Sequence, residues 1–375
     1  MLPKPTIYLP LKYIEQRNSY DLYGYYNKST NSYNVITGIE TDGLEYLGAI
    51  EKSTTVNTTH QINGVYAENG DLVFKTSINE DCNIEPYSLV NDIFSRNTGI
   101  IESSKFLKKN VLIAGCGSVG SLIAIELAKL GIGNFVLVDS DILAYHNICR
   151  HQCGIKDVGK YKVNAVEEAI HNINSSAKIA TFKSRIQSLS EDDFKNISEK
   201  GIELIIGATD NRESDLYANR ISQLLDIPFV SIGFWERAFA GEIFYSLPGL
   251  TACYNCVFGE RNILSNRVSV NRHVYSFEED EAKIAYEPGI SLDINFITII
   301  GLKIIVDLLN RNDSEYVPKV INSLKNFTLV CNNNDKRMGG ELAMIFDHPL
   351  QITRSIVTKH RENCDHCKVR GKFYT

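Results

Sequence analysis

Two sets of residues in this chain are spaced for chemistry: paired cysteines, and a glycine turn followed by acids and cations. "CYNC" (Cys253, Cys256) and "CDHC" (Cys364, Cys367) are both C-x-x-C pairs. Each pair can hold one metal through a short turn, and four thiolates make the closed tetrahedral shell of a structural Zn2+. Such an ion would pin the C-terminal tail and take no part in catalysis. His366 lies inside the second pair, but four sulfurs already complete the shell. Cys82, Cys116, Cys149, Cys153 and Cys331 are scattered and read as small packed thiols.

The second set begins at "VLIAGCGSVG", where Gly115, Gly117 and Gly120 follow an apolar run and open a helix-like stretch. Three glycines at this spacing allow a tight turn, a close ligand approach and close packing of helix on strand. Asp139 ends the next apolar run, where a carboxylate can hydrogen-bond a ribose hydroxyl. To this point NAD and ATP fit equally well. "DSDILAYHNICR" adds Asp141, Asn147 and Arg150, and "DVGKYK" adds Lys160 and Lys162. Cations so close to a ribose acid suit a triphosphate, whose charge must be neutralised as phosphoryl chemistry proceeds. "GATDNR" then places Asp210 at the end of a later strand, where one carboxylate could hold Mg2+ on the phosphates.

These residues need a scaffold, and the pattern from Val111 onward supplies one. Apolar runs of strand length alternate with helix-like stretches as far as "IPFVSIGF", the mark of an α/β sheet covered by helices. A polar stretch from Asn262 to Pro288 reads as a long loop, either mobile or substrate-covering. Helix 294–309 and the strand-like runs "NFTLVC" and "ELAMIF" follow. The first 90 residues have another texture and read as a small α+β module. "YDLYGYYNKSTNSYNVIT" predicts two strands around a polar turn. In "TDGLEYLGAIEKS", Leu44, Leu47 and Ile50 are at helical spacing, with Asp42 as a cap. "NGVYAENGDLVFKTSI" predicts a hairpin turning at Asn69-Gly70-Asp71.

Composition narrows the class. With 43% hydrophobic and 22% charged residues, the 375-residue chain has the make-up of a soluble globular protein. A net charge of −6 offers no broad basic surface, so no nucleic-acid partner is expected. No apolar run has the length of a membrane span, and the prolines and charges near the N-terminus do not suit a signal peptide. The expected compartment is the reducing cytoplasm, which argues against a disulfide framework.

Taken together, "GCGSVG", "DSD", "NICR", "DVGKYK" and "ATDN", followed by "CYNC", resemble the ThiF/MoeB and ubiquitin-activating adenylyltransferases. The resemblance implies a Rossmann-like mixed sheet with helices on both faces, ATP and Mg2+ as cofactors, and conversion of a carboxylate into an acyl-adenylate. By it, Asp139 holds the ribose, Asn147, Arg150 and Lys162 the phosphates, and Asp210 the metal or adenylation centre. It also implies a homodimer in which an arginine from the partner's N-terminal flank reaches the phosphates; "FSRNTG" offers Arg96. The segment after "CYNC" carries no cysteine for a thioester. The additional N-terminal module looks similar to the microcin C-type and pantocin-type peptide-modifying enzymes. Residues 1–90 would then be a peptide-clamp-like module, with Tyr23, Tyr25 and Tyr26 in its groove, and residues 91–375 the adenylation domain. The substrate in that branch is a short ribosomal precursor peptide. A ubiquitin-like or sulfur-carrier protein is the alternative, and a non-catalytic peptide-binding relative a further one. Asp215 stands where carrier-activating members commonly have arginine, which puts carrier contacts in doubt.

Overall fold

Two textures in the sequence become two sheets. The computed structural model describes residues 4–41, 43–52, 59–235, 238–259, 289–332 and 353–372. Contacts divide them into two units. One is Met1–Leu107 with Ala128–Gly131 and Ile170–Ala177, and the other holds the remainder.

The first unit runs β1 (Thr6–Pro10), α1 (Leu11–Glu15), β2 (Tyr20–Asn27), β3 (Ser32–Thr37), β4 (Glu45–Glu51), β5 (Ile62–Tyr66), β6 (Leu72–Thr76), β7 (Asn83–Tyr87) and α2 (Ser103–Phe106). Its seven strands lie in the order β6-β5-β4-β2-β3-β1-β7. Ile7, Leu9, Leu22, Val35, Leu47, Ile50 and Phe74 are buried together as its core. The predicted strand pair is β2–β3, and the predicted hairpin is β5–β6, with Gly70 at φ +86° in its turn. The stretch expected to be helical is strand β4 instead. The register between β2 and β4 slips at Leu22/Tyr23, so Leu22 faces Gly48 and Tyr23 faces Tyr46. Leu47 is therefore the extra residue of a bulge, which puts it and Ile50 in one core despite their odd spacing. Three apolar residues at intervals of three fit a bulged strand as well as a helix. Asp42, the expected cap, lies outside the described residues.

The second unit runs β8 (Asn110–Ala114), α3 (Ser118–Leu130), β9 (Asn134–Val138), α4 (Lys162–His171), β10 (Lys178–Phe182), α5 (Glu191–Glu199), β11 (Leu204–Gly207), α6 (Arg212–Leu225), β12 (Phe229–Phe234), β13 (Ala240–Ser246), α7 (Tyr254–Phe258), α8 (Ser291–Leu309), β14 (Phe327–Cys331), β15 (Thr353–Ile356) and α9 (Asp365–Lys368). The sheet order is β10-β9-β8-β11-β12-β13-β14-β15. The first five strands are parallel, and β13 to β15 continue the sheet antiparallel. This is the expected Rossmann-like mixed α/β sheet. Residues 111–114 and 135–138 are continuous apolar runs with almost no exposure, as strands covered on both faces require. Strand β13 was not legible as a strand, because Gly241, Glu242 and Ser246 break its apolar pattern, yet all seven residues are buried. The loop expected at Asn262–Pro288 and the run "ELAMIF" lie outside the described residues. Among the described residues, no helix is long and apolar enough to cross a membrane.

Candidate nucleotide and metal sites

Backbone economy at the end of β8 shapes the candidate nucleotide site. Gly115 takes φ +93°, and a Cβ there would lie 2.6 Å from the Ala208 carbonyl oxygen. A Cβ on Gly120 would lie 1.8 Å from the Gly115 carbonyl oxygen, so only glycine lets α3 start this close to the turn. A Cβ on Gly117 would meet nothing within 4 Å, and this residue lines a cavity of about 950 Å3. That is the upper end of the roughly 300–1,000 Å3 usual for ligand pockets, enough for a nucleotide with a second reactant beside it. The cavity lies at the C-terminal ends of β8, β9, β11 and β12, reaching Ala114, Val138, Ala208 and Ile232. Open α/β sheets bind their ligands at such ends.

The predicted nucleotide residues meet here. Asp139, Asp141, Asn147, Arg150, Lys162 and Asp210 all line the one cavity. Asp139 accepts the Cys116 N–H at 2.7 Å on Oδ2 and the Asp141 N–H at 2.8 Å on Oδ1. A carboxylate has about four acceptor positions, so the side chain can be locked and still receive a hydroxyl. Burial raises its pKa, with Lys162 opposing the shift. Lys162 sits at the start of α4 with Nζ 2.7 Å from Asp141 Oδ2. Asn147 spends its carbonyl on the Ala144 N–H at 2.9 Å, leaving its amide N–H groups as possible donors. Asp210 is exposed on the loop between β11 and α6. Asp210, an exposed carboxylate on the cavity wall, is the kind of oxygen donor that Mg2+ takes together with phosphate oxygens.

Other predicted residues fall elsewhere. Lys160 is held by Glu168 at 2.6 Å and Asp157 at 3.3 Å. Arg96 is exposed on a single 3-10 turn, Ser95–Asn97, in the first unit, whereas every residue lining the cavity belongs to the second. Cys153 is buried, as expected of a packing thiol, and burial pushes its pKa to about 12. Cys149 is exposed, contrary to the packed role expected of it. In the first unit Tyr25 and Tyr26 are exposed and Tyr23 is half-buried.

Several residues of the site escaped the sequence reading. His151 Nδ1 accepts the Cys153 N–H at 3.0 Å, so its Nε2–H donates to the Cys116 carbonyl at 2.8 Å. Burial lowers its pKa, and the neutral ring thus holds the glycine turn at the Cys116 carbonyl, as Asp139 holds it at the Cys116 N–H. Its place next to Arg150 was the available signal. Arg212 Nη2 donates to the buried Glu242 at 3.0 Å and Nη1 to the Tyr254 hydroxyl at 3.1 Å. The guanidinium lies 4.5 Å from the centre of the Phe258 ring. Trp235 Nε1 reaches the same Glu242 at 3.4 Å, so Arg212 and Trp235 line the cavity from one braced group. No motif joins these residues, because they come from α6, β13, α7 and the turn after β12.

The four paired cysteines form one group with all Sγ atoms within 4.8 Å of one another. Cys253 lies 3.6 Å from Cys256, 3.5 Å from Cys364 and 3.4 Å from Cys367, and Cys256 lies 3.6 Å from Cys367. Tetrahedral Zn–S bonds of about 2.3 Å put sulfurs roughly 3.8 Å apart, so the group could hold zinc with little adjustment. The Arg361 N–H and the Asn255 side chain reach Cys256 and Cys364, each at 3.4 Å, the outer hydrogen bonds that orient thiolates. The hydrogen bond from Cys253 favours the Cys256 thiolate, whose pKa falls to about 4, while the Cys253 thiol is pushed up.

The ThiF family profile matches residues 92–335. Two curated relatives are both called ubiquitin-like modifier-activating enzyme 5. The Dictyostelium discoideum protein is 29% identical over 181 residues, covering 46% of this chain and 47% of its own. The Caenorhabditis elegans protein is 26% identical over 226 residues, covering 57% and 54%. The chain thus spans about half the length of these relatives. Among solved structures, Escherichia coli MccB with MccA-N7isoASN aligns at 18% identity and a TM-score of 0.49, covering 71% of this chain and 69% of that one. The structure of PaaA aligns at 20% identity and a TM-score of 0.42, covering 61% of each. The profile match takes in the glycine turn, the acids and cations that line the cavity and the first cysteine pair, and the chain is a member of the ThiF family.

Proposed function

We propose that this chain adenylates a carboxylate on a short ribosomally made precursor peptide, using Mg2+ and ATP and releasing pyrophosphate. The observation that carries the adenylation is the single cavity in which the glycine turn, Asp139, Arg150, Lys162 and Asp210 meet. A carboxylate is a poor acyl donor because its leaving group would be oxide, whereas AMP leaves readily. The substrate oxygen attacks the α-phosphorus, the bond to the β-phosphate oxygen breaks, and pyrophosphate carries away the electron pair. The backbone at Gly117 lets the phosphates approach closely, and Asp139 orients the ribose. Arg150 and Lys162 meet the charge that grows on the phosphate oxygens, the electrostatic part of the catalysis. Lys162 must exchange its Asp141 partner for phosphate, a modest cost because Asp141 is exposed. Mg2+ held by Asp210 would add charge neutralisation on the phosphates. No protein nucleophile is needed for this step.

Residues 1–90 serve in this reading as a peptide clamp, and residues 91–375 as the adenylation domain. β7 ends the order of its sheet, and a peptide could join that edge as an added strand. Exposed Tyr8, Tyr25, Tyr26 and Tyr46 give the unit aromatic contact surface. The protein acts as a homodimer, with Arg96 available to the partner's phosphates, and the four cysteines hold a structural Zn2+.

The curated relatives favour a second reading, in which the activated group is the C-terminus of a ubiquitin-like or sulfur-carrier protein. ATP–pyrophosphate exchange separates the two. Exchange driven by a short precursor peptide and not by a Gly-Gly-ended carrier is the expected result. Exchange with the carrier alone would replace the first reading by the second.

A further inference from the structure

Asp215 occupies the first turn of α6 with its side chain wholly buried, so it offers nothing to a partner protein. Burying a carboxylate is costly unless donors surround it, and here they do. Thr209 Oγ1 donates to its Oδ1 at 3.0 Å, and Ser231 Oγ donates to its Oδ2 at 2.7 Å. The positive end of α6 adds a favourable field. The neighbouring strand makes room for it: a Cβ on Gly207 would stand 2.5 Å from Asp215 Oδ1. One carboxylate therefore ties the chain just past β11, the middle of β12 and the start of α6 together.

The loop between β11 and α6 is the part of the cavity wall that carries Asp210. Both neighbours of Asp210 are fastened. The one Thr209 hydroxyl hydrogen is shared between Asp215 Oδ1 and the Asn211 carbonyl, whose oxygen lies 2.9 Å away. Asn211 caps α6, its Oδ1 accepting the Glu213 N–H at 2.8 Å, while its carbonyl accepts the Asp215 N–H at 3.3 Å. Asp210 is exposed between these two fastened neighbours, on a loop tied to the buried anchor.

We propose that Asp215 is a positioning residue of the adenylation centre: through Thr209 and Ser231 it sets the Thr209–Asp210–Asn211 loop and so aims the Asp210 carboxylate at the metal-bearing phosphates. The proposal rests on the reading of Asp210 as the metal-facing carboxylate. It also explains why a polar group is kept where an apolar side chain could pack, since buried anchors of this kind serve geometry better than stability.

The test uses Mn2+ as a spectroscopic probe, with the full chain and a non-hydrolysable ATP analogue. Free Mn2+ is read by electron paramagnetic resonance, metal-free analogue binding by calorimetry, and folding by thermal melting. Asp215→Ala is expected to weaken Mn2+ binding about tenfold, the low end of the roughly 10–100-fold typical when a ligand's support is removed. Metal-free analogue binding and the melt should change little. Asp215→Asn, which keeps the shape and one acceptor, should recover most of the loss. Thr209→Val should behave as Asp215→Ala does, and the double variant should be no worse than either, because both cut one link. Wild-type Mn2+ binding in Asp215→Ala and Thr209→Val, with loss in Asp210→Ala, would overturn the positioning role and leave Asp210 in place. Unchanged binding in Asp210→Ala would instead remove the reading on which the proposal stands. Parallel loss of metal-free analogue binding and melting temperature would assign Asp215 to the fold alone. Should Asp215→Ala not fold, Thr209→Val decides by the same readouts.

Discussion

The cavity and the four-cysteine group hold their functional atoms in opposite ways. In the cavity, Asp141, Asp210 and Arg185 are exposed, and the Lys162–Asp141 pair can open. The cysteines face each other across less than 5 Å, with Cys253 and Cys364 buried. A site that turns over must exchange partners with its substrate, so its charges stay wet and weakly paired. A site that fastens a tail needs only to stay closed. The same chain therefore places an open set of oxygens and nitrogens on its strand ends, and a closed set of sulfurs between α7 and α9.

Substitutions should separate chemistry from cohesion along this line. Asp210→Ala is expected to lower ATP–pyrophosphate exchange at least about 100-fold, the scale seen when a group stabilising transition-state charge is removed. Its thermal melt should stay within a degree or two of wild type. A large drop in the melt would erase the contrast, because an exposed loop carboxylate would then be supporting the fold. Cys364→Ser should do the reverse. Metal analysis should show near one zinc per chain in the wild type and almost none in the variant. A loss of about 3 kcal/mol would lower the melting temperature by roughly 6–12 °C. Wild-type protein without zinc would remove the metal from the comparison altogether.

The smallest effect sharpens the comparison within the cavity wall. Burial depresses the His151 pKa below its ordinary 6.5. The unfolded chain therefore takes up a proton near pH 6.5 that the folded chain refuses. Stability contributed by the neutral ring is complete above that pH and is lost as pH falls below it. One such proton changes stability by at most about 1.4 kcal/mol per pH unit. His151→Gln should flatten this part of the stability–pH curve measured by denaturant titration. An unchanged slope would show that other groups control that window.

How much of this was legible depended on sequence distance. Gly115, Gly117, Gly120 and Asp139 were readable because a turn, the helix behind it and the next strand form one local unit. Each cysteine pair was readable for the same reason, since two thiols on one turn announce a ligand. Their union into one group was an expectation that the fold had to satisfy across a separation of 111 positions. The Arg212–Glu242 pair, 30 residues apart and on different elements, left no signature. Lys160 and Lys162 looked alike in "DVGKYK", and only their partners distinguish a residue bound to Glu168 from one facing the cavity. Strand β4 was misread because a bulge changes the period of a strand, and only its neighbour β2 reveals the slip.

By itself, then, the sequence determined the α/β alternation, the glycine turn, the order of acids and cations, and the two C-x-x-C turns. Each depends on neighbours along the chain, where bond geometry and short hydrogen bonds decide. Tertiary structure alone decided that Asp139, Arg150, Lys162 and Asp210 share one cavity and that His151 braces the glycine turn. It also decided that Asp215 is buried and held by hydroxyls, whereas the sequence marks it only as a departure from the carrier-activating pattern. Which carboxylate faces water and which is enclosed by hydroxyls is set by strands packed side by side, and that adjacency is not written in the order of residues.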